Sequence, residues 1–272
     1  MTLSRPAVRD LLTSRGLAPR RDLGQNFVAD PNTVRRIAHL AGVGPGDHVL
    51  EIGAGLGSLT LALADTGAAV TAIEIDHGLV DVLADVVGGC ANVSVVEADA
   101  TRLDWSTLLG DLDQWVLVAN LPYNIATPLV ADLLDEVPAV SRMLVMVQRE
   151  VAERLAAAPR SAAYGAVSVK VAYWADARIV GDVPATVFVP RPNVDSALVS
   201  IPRRPPPDVP PEPLFALVRT AFNQRRKMLR RSLRDVVTAE QFAAAGVVPT
   251  ARPEELGLAD WCRLTVATEA ST

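Results

Sequence analysis

The sequence predicts an α/β fold, a parallel sheet with helices on both faces, followed by a small all-helical domain. Three observations carry this. Five apolar runs, near 48–52, 69–75, 93–97, 115–119 and 142–148, alternate with segments of helical spacing, the rhythm of βαβ units. The first run passes directly into alternate glycines, Gly53, Gly55 and Gly57, before helical spacing resumes. Pro202 to Pro213 then holds seven prolines in twelve residues, a semi-rigid linker that marks a domain boundary.

The chain has 272 residues, half of them hydrophobic, enough for one large domain and one small one. No apolar run approaches the ~20 residues of a membrane span, and Arg5, Arg9 and Arg15 interrupt the N-terminus, so a cytoplasmic protein is expected. Cys90 and Cys262 are too few for a disulfide framework, and His39, His48 and His77 are scattered, which predicts no metal. A net charge of −5 excludes a protein that coats nucleic acid indiscriminately, but local patches matter more. From Arg219 to Arg234 there are seven cations and no carboxylate, and Arg20 and Arg21 form a second cluster.

Ser4-Arg5-Pro6 opens a short helix that runs to Arg15, with Gly16 ending it. Residues 20–28 are polar and aperiodic and read as a loop. Asp30 before Pro31 starts a helix whose buried stripe is Val34, Ile37, Ala38 and Ala41. The stretch from Val49 to Thr60 reads as strand, tight turn and helix, and glycines there let a ligand lie against bare backbone at a helix N-terminus. A nucleoside with an anionic end suits such a turn. The dinucleotide fingerprint would need glycine at 58, where Ser58 stands, which argues against NAD. With Glu51 ahead of it, the turn resembles the E-x-G-x-G-x-G loop of S-adenosylmethionine-dependent methyltransferases, which packs against the cofactor's amino-acid end.

In parallel sheets ligands sit beyond the carboxyl ends of the strands. Glu74 ends the second strand about twenty residues after the glycines and, with Ile75 beside it, is placed to accept ribose hydroxyls; Asp76 caps the next helix. Asp99, beside Ala100, follows the third strand and can accept from an adenine amine. The fourth strand runs into Asn120-Leu121-Pro122-Tyr123. An exocyclic base amine is a poor nucleophile because its lone pair is delocalised, so it needs acceptors that hold its hydrogens. The Asn120 side-chain oxygen and the Leu121 carbonyl supply them, Pro122 stiffens the turn, and Tyr123 offers a ring face to a flipped base. Thr127-Pro128 reads as the cap and first position of the following helix. Gln148 and Arg149 close the fifth strand, Tyr164 to Trp174 reads as helix, and strands near 177–183 and 194–201 complete a seven-stranded sheet with an antiparallel edge. Beyond the prolines, Phe215, Val218, Phe222, Leu229 and Leu233 give helical periodicity, with Arg225, Arg226, Lys227, Arg230 and Arg231 on one flank as phosphate contacts.

Asn-Leu-Pro-Tyr resembles the motif of methyltransferases acting on planar nitrogens, in its adenosine-RNA version. Together with Leu23 to Phe27, Glu51 to Gly57, Gln148 to Ala152, Tyr164-Gly165, Val187 to Ser196 and Ala221 to Leu229, it makes nearly the whole chain resemble the bacterial small-subunit ribosomal RNA adenine N6,N6-dimethyltransferases, the KsgA/RsmA family. The resemblance implies a Rossmann-like class I methyltransferase domain over 1–203, a linker over 204–213 and a helical RNA-binding domain over 214–272. It implies S-adenosylmethionine as cofactor and 16S rRNA as substrate, with two adjacent adenosines of a 3'-terminal hairpin loop dimethylated during subunit maturation by a monomer. It also implies cofactor contacts from Gln25, Asn26, Val28, Gly53, Gly55, Glu74, Ile75, Asp99, Ala100 and Asn120, and a Phe188 ring opposite Tyr123 that sandwiches the target. Read from the residues alone, Phe188 is a core aromatic. Two departures stand out: Ala54 where the family has proline, and Val28 where leucine is common. Two other readings share these features, a large-subunit rRNA adenine methyltransferase of the macrolide-resistance type and a non-catalytic RNA-binding assembly factor.

Overall fold

The computed structural model describes residues 2–20 and 22–270. Arg21, half of the second basic cluster, lies outside the described residues. Two compact units are present, one of Met1–Ala152 with Arg178–Pro202, the other of Glu153–Ala177 with Arg203–Thr272.

The first unit begins with α1 (Arg5–Ser14), β1 (Phe27–Val28), α2 (Pro31–Ala41), β2 (His48–Ile52), α3 (Ser58–Ala64), β3 (Ala69–Glu74), α4 (His77–Val87) and β4 (Val93–Glu97). It continues through α5 (Trp105–Leu109), β5 (Trp115–Asn120), α6 (Ala126–Glu136), β6 (Val140–Gln148) and the start of α7 (Arg149–Leu155). After α8 (Ala166–Trp174), which belongs to the second unit, β7 (Arg178–Val183), β8 (Phe188–Val189) and β9 (Ser196–Pro202) return to the sheet unit. Its seven strands lie in the order β4-β3-β2-β5-β6-β9-β7. Strands β4 to β6 are mutually parallel, and β9 runs against both its neighbours. The antiparallel edge expected from the sequence is therefore made by β9 and β7, with β9 the reversed strand.

Alternate strand residues supply the two faces. Val49, Val70, Val116, Val118, Leu144 and Met146 meet Val34 and Ile37 of α2 in one cluster, while Ala72 packs with Leu61, Leu83 and Val87 in a second. Local chemistry sets the helix ends as read: Asp30 accepts from Thr33 N at 2.9 Å, Gly42 takes the left-handed conformation, and Asp76 accepts from Gly78 N at 3.0 Å. The 20–28 loop ends in an element the sequence did not suggest, because β1 pairs antiparallel with β8. Helix α6 starts at Ala126, ahead of the expected Thr127 cap, since the Ile125 and Ala126 amides already turn back to the Pro122 carbonyl at 3.2 and 3.1 Å.

The second unit holds the rest of α7, α8, α9 (Pro211–Phe222), α10 (Leu229–Ser232), α11 (Ala239–Ala244) and α12 (Leu258–Glu269). Its membership corrects the expected boundary at 203. Tyr164, Val169 and Tyr173 share one apolar cluster with Phe215, Val218 and Trp261, so 153–177 belongs with the C-terminal helices. The proline segment is packed, not a free tether: Val209 is buried there and its carbonyl accepts from the Tyr173 hydroxyl at 2.7 Å. The basic run does not form one helical flank either. Helix α9 stops at Phe222 and turns follow; α10 starts afresh at Leu229, where the Leu229 and Arg230 amides donate to the Ala251 and Pro249 carbonyls at 2.8 and 2.9 Å. Among the described residues no helix is long and apolar enough to cross a membrane.

Candidate active site

The strand order reverses between β2 and β5, and a cavity of about 270 Å³ opens at the carboxyl ends of β2, β3, β4 and β5. This is where a doubly wound sheet places a ligand. The glycine turn is tied to β3 by the Gly53 and Ala54 amides, which donate to the Ile73 carbonyl at 2.8 and 3.1 Å. Gly53 and Gly55 line the cavity. Gly55 has φ 58°, and a Cβ there would lie 3.0 Å from the Phe27 ring. Gly57 lies off the cavity: at φ 83° its missing Cβ makes room for Leu83, 2.9 Å away, so this glycine serves packing against α4 and not a ligand.

Glu74 is 5% exposed and burial raises its pKa. Its carboxylate accepts from the amides of Gly55 at 2.8 Å and of Ile75 and Asp76 at 3.0 Å each. Those three bonds fill most of about four acceptor positions and fix the group rigidly, leaving room for a further donor from the cavity. Asp99 also lines the cavity; Thr101 binds its Oδ1 through N and Oγ1 at 2.9 and 2.7 Å, which holds the acid below its ordinary range. Its Oδ2 has Arg102 Nε at 3.7 Å. Ile75 and Ala100 supply apolar wall, and Ile75 is 46% exposed, an unusual state for a residue of that size beside a cavity.

Asn120 donates from Nδ2 to the Asn26 carbonyl at 3.0 Å, so Oδ1 is the acceptor end left over. Leu121, Pro122 and Tyr123 line the same wall, and the Leu121 amide donates to Met146 O at 3.1 Å. The Tyr123 hydroxyl lies 2.8 Å from Ser196 Oγ, and burial raises the phenol pKa. Gln25, Asn26 and Val28 close another side. Both ends of the Gln25 amide are taken by protein, Nε2 by Asp76 at 2.9 Å and Oε1 by the Arg20 amide at 2.8 Å, so this side chain latches the loop. Asn26 Nδ2 turns back to Gly24 O at 3.1 Å.

Phe188 is not brought to the cavity. Its ring is fully buried among Val28, Val34, Ile37 and Leu198, since antiparallel pairing of β8 with β1 turns this residue into the core. Phe188 thus packs in the core and is not part of the cavity lining. Among the cations, Arg225 binds Glu254 at 2.7 Å and the Ala162 carbonyl at 2.8 Å, which makes it a structural tie in the second unit. Arg226, Lys227, Arg230 and Arg231 are exposed. Arg20 pairs with Asp22 at 2.8 Å.

Two residues that carry no site role in the sequence reading are brought in by the structure, the first of them already part of the glycine-loop motif. Glu51 is 1% exposed, lines the cavity and has an Oε2 with no hydrogen-bond partner. Its signal was a carboxylate inside the apolar run Val49 to Ile52. Burial pushes its pKa to about 8, Glu74 adds to the rise, and Thr60 opposes it. A carboxyl that keeps its proton to about pH 8 when folded, against an ordinary 4.5, costs stability as pH rises through that window. The ligand-free protein is therefore expected to lose up to ~1.4 kcal/mol per pH unit between those values from this group, and Glu51→Gln to flatten the slope. Urea melts across that range check this; an unchanged slope in the variant would show Glu51 to be ionised throughout. The second residue is Ser196, visible in the sequence only as the last letter of a matching block.

The orphaned Glu51 oxygen and the acceptors Glu74 and Asp99 on one wall suit a ligand that carries a cation, hydroxyls and an amine. S-adenosylmethionine has all three.

Comparison with known proteins agrees with this chemistry. A model of the ribosomal RNA adenine dimethylase family matches residues 16–270. The chain is 49% identical over 269 residues to the ribosomal RNA small subunit methyltransferase A of Thermobifida fusca, covering 94% of this chain and 93% of that protein. Against the protein of the same name from Cutibacterium acnes the identity is 46% over 282 residues, with 97% and 94% covered. Among solved structures it resembles the 23S rRNA methyltransferase ErmE at 28% identity and a TM-score of 0.70, covering 90% of this chain and 100% of that one. A dimethyladenosine transferase from Plasmodium falciparum shares the fold at 24% identity and a TM-score of 0.72, with 86% and 94% covered.

Proposed function

Because the chain belongs to the ribosomal RNA adenine dimethylase family, we infer that the cavity at the ends of β2 to β5 is where donor and target adenine meet. The protein is an S-adenosylmethionine-dependent adenine N6,N6-dimethyltransferase of small-subunit rRNA. The observation that carries the placement of its site is the convergence of Glu51, Glu74, Asp99 and Asn120 on one cavity.

Bound there, S-adenosylmethionine supplies an electrophilic methyl group, so the chain's work is holding, orienting and excluding water. Glu74 would hold a ribose hydroxyl, Asp99 the cofactor's adenine amine, and Ile75 the face of its ring. Glu51 would accept from the ammonium of the amino-acid end through its unpartnered Oε2, giving up its proton as the cation binds. On the other side, Asn120 Oδ1 and the Leu121 carbonyl hold the hydrogens of the target amine, which pyramidalises the nitrogen and frees its lone pair. Tyr123 stacks on the extruded base. After each transfer the displaced proton passes to water.

The finer target, two adjacent adenosines in a 3'-terminal hairpin loop of 16S rRNA, is tested by nucleoside mass spectrometry and mapping of small-subunit particles from cells with and without the protein. Dimethyladenosine confined to that loop is the expected result; methylation of large-subunit RNA would reject it. The large-subunit reading is the weaker one, because similarity to ErmE is 28% against 42–49% for the small-subunit relatives. Subunit maturation places the protein in the cytoplasm, and it acts as a monomer, which light scattering checks.

Exposed Arg226, Lys227, Arg230 and Arg231 serve as phosphate contacts in the second unit. Replacing Arg226 and Arg230 with Glu is expected to lower the slope of log binding constant against log salt by about 1.4–1.8, at ~0.7–0.9 per lost phosphate contact. Slopes equal to wild type would remove both residues from the interface.

A further inference from the structure

The Val187 to Ser196 block has Phe188 packed in the core at its start. Its far end does something else. Ser196 is the first residue of β9, held between Gln148 of β6 and Val183 of β7, and is wholly buried. Its neighbour Asp195 is pinned twice, with Oδ1 accepting from the Ala185 amide at 2.8 Å and its carbonyl from the Arg149 amide at 3.0 Å. Ser196 Oγ thus sits on an inflexible scaffold, 2.8 Å from the Tyr123 hydroxyl.

We propose that Ser196 is a positioning residue of the methyl transfer, fixing the Tyr123 ring as a preformed platform for the target adenine. The proposal rests on the placement of that base against Tyr123. A tyrosine held only at its backbone swings about two side-chain torsions, and a base stacking on it must first stop that motion. Here the ring is held at both ends: at the backbone by the Pro122 turn, whose carbonyl accepts from the Ile125 and Ala126 amides, and at the hydroxyl by Ser196. The freedom is removed before RNA arrives, which lowers the cost of forming the reactive geometry. Ser196 itself is absent from the cavity lining.

The test is a double-mutant cycle in the full-length protein, with small-subunit particles as methyl acceptor. Ser196→Ala and Tyr123→Phe each remove one end of the bond; Tyr123→Phe keeps the ring and leaves packing nearly intact. Each is expected to lower kcat/KM for the particles about 5- to 30-fold, with S-adenosylmethionine affinity by calorimetry within twofold of wild type. The double variant should be no worse than the weaker single. If Ser196→Ala adds its full loss on top of Tyr123→Phe, or if Tyr123→Phe behaves as wild type, the positioning role is wrong. Tyr123→Ala separates this from the parent reading. A large loss there with a silent Tyr123→Phe keeps the platform and rejects Ser196, whereas a silent Tyr123→Ala rejects the platform itself. Melting curves of Ser196→Ala tell a folding defect from a positioning one, and Tyr123→Phe decides the matter if that variant unfolds.

Discussion

Asn120→Ala lowers the single-turnover methylation rate by about 10²–10³-fold while S-adenosylmethionine binds within a few fold of wild type. The size follows from what is removed. A preorganised acceptor aimed at a group whose charge changes in the transition state is worth about 3–4 kcal/mol when it acts in a site shielded from water. In the ground state the same oxygen makes one ordinary hydrogen bond among several, worth about 1 kcal/mol. Asn120 is aimed by its own amide, whose Nδ2 donates to the Asn26 carbonyl at 3.0 Å. Asn120→Asp is the sharper companion, since it keeps the acceptor but loses that donor, releasing both the aim and the loop. Rapid-quench assays with saturating donor separate chemistry from binding; a rate near wild type in Asn120→Ala would place the amine's acceptors elsewhere.

Phe188→Ala unfolds the protein more than it slows it. The ring is fully buried among aliphatic side chains of α2, β1 and β9. Deleting such a ring removes its transfer free energy and leaves a cavity, at a combined cost of about 3–5 kcal/mol. A typical domain's whole stability is only about 5–15 kcal/mol, so the melting temperature should fall by many degrees. Below the new transition the folded fraction should still methylate within about tenfold of wild type, because the ring does not line the cavity and reaches it only through Val28. Phe188→Leu should recover most of the stability. The opposite pattern, normal melting with activity lost, would return Phe188 to the face of the target base.

Much of the sheet was legible because strands in a parallel sheet are buried on both sides and read as unbroken apolar runs. Glu74, Asp99 and Asn120 could be read because each follows such a run, and the carboxyl ends of parallel strands face one crevice. Gly57 shows where that logic stops. In the sequence it cannot be told from Gly53 and Gly55, yet its absent Cβ is answered by Leu83, a residue of another helix. The basic run shows the same limit. Its apolar spacing is helical on both sides of an interruption at the cations. The structure fills that interruption with turns between α9 and α10, the first amides of α10 being taken by carbonyls of residues 249 and 251. Tyr164 to Trp174 reads as helix, and the structure puts that helix, Ala166–Trp174, in the second unit, since periodicity reports that a face is buried and not against what.

The sequence by itself determined the strand and helix types, the glycine turn and the order of the acids around the crevice, because these depend on dihedral preference, capping and burial patterns within a few residues. Tertiary structure alone decided which groups still have something to offer a ligand. Gln25 spends its amide on Asp76 and Arg20, Phe188 turns inward on β1, Ser196 takes hold of Tyr123, and Glu51 keeps an oxygen without a partner. A donor or acceptor can be used up by a residue any distance away in the chain, so its availability is a property of the folded neighbourhood and leaves no trace in spacing.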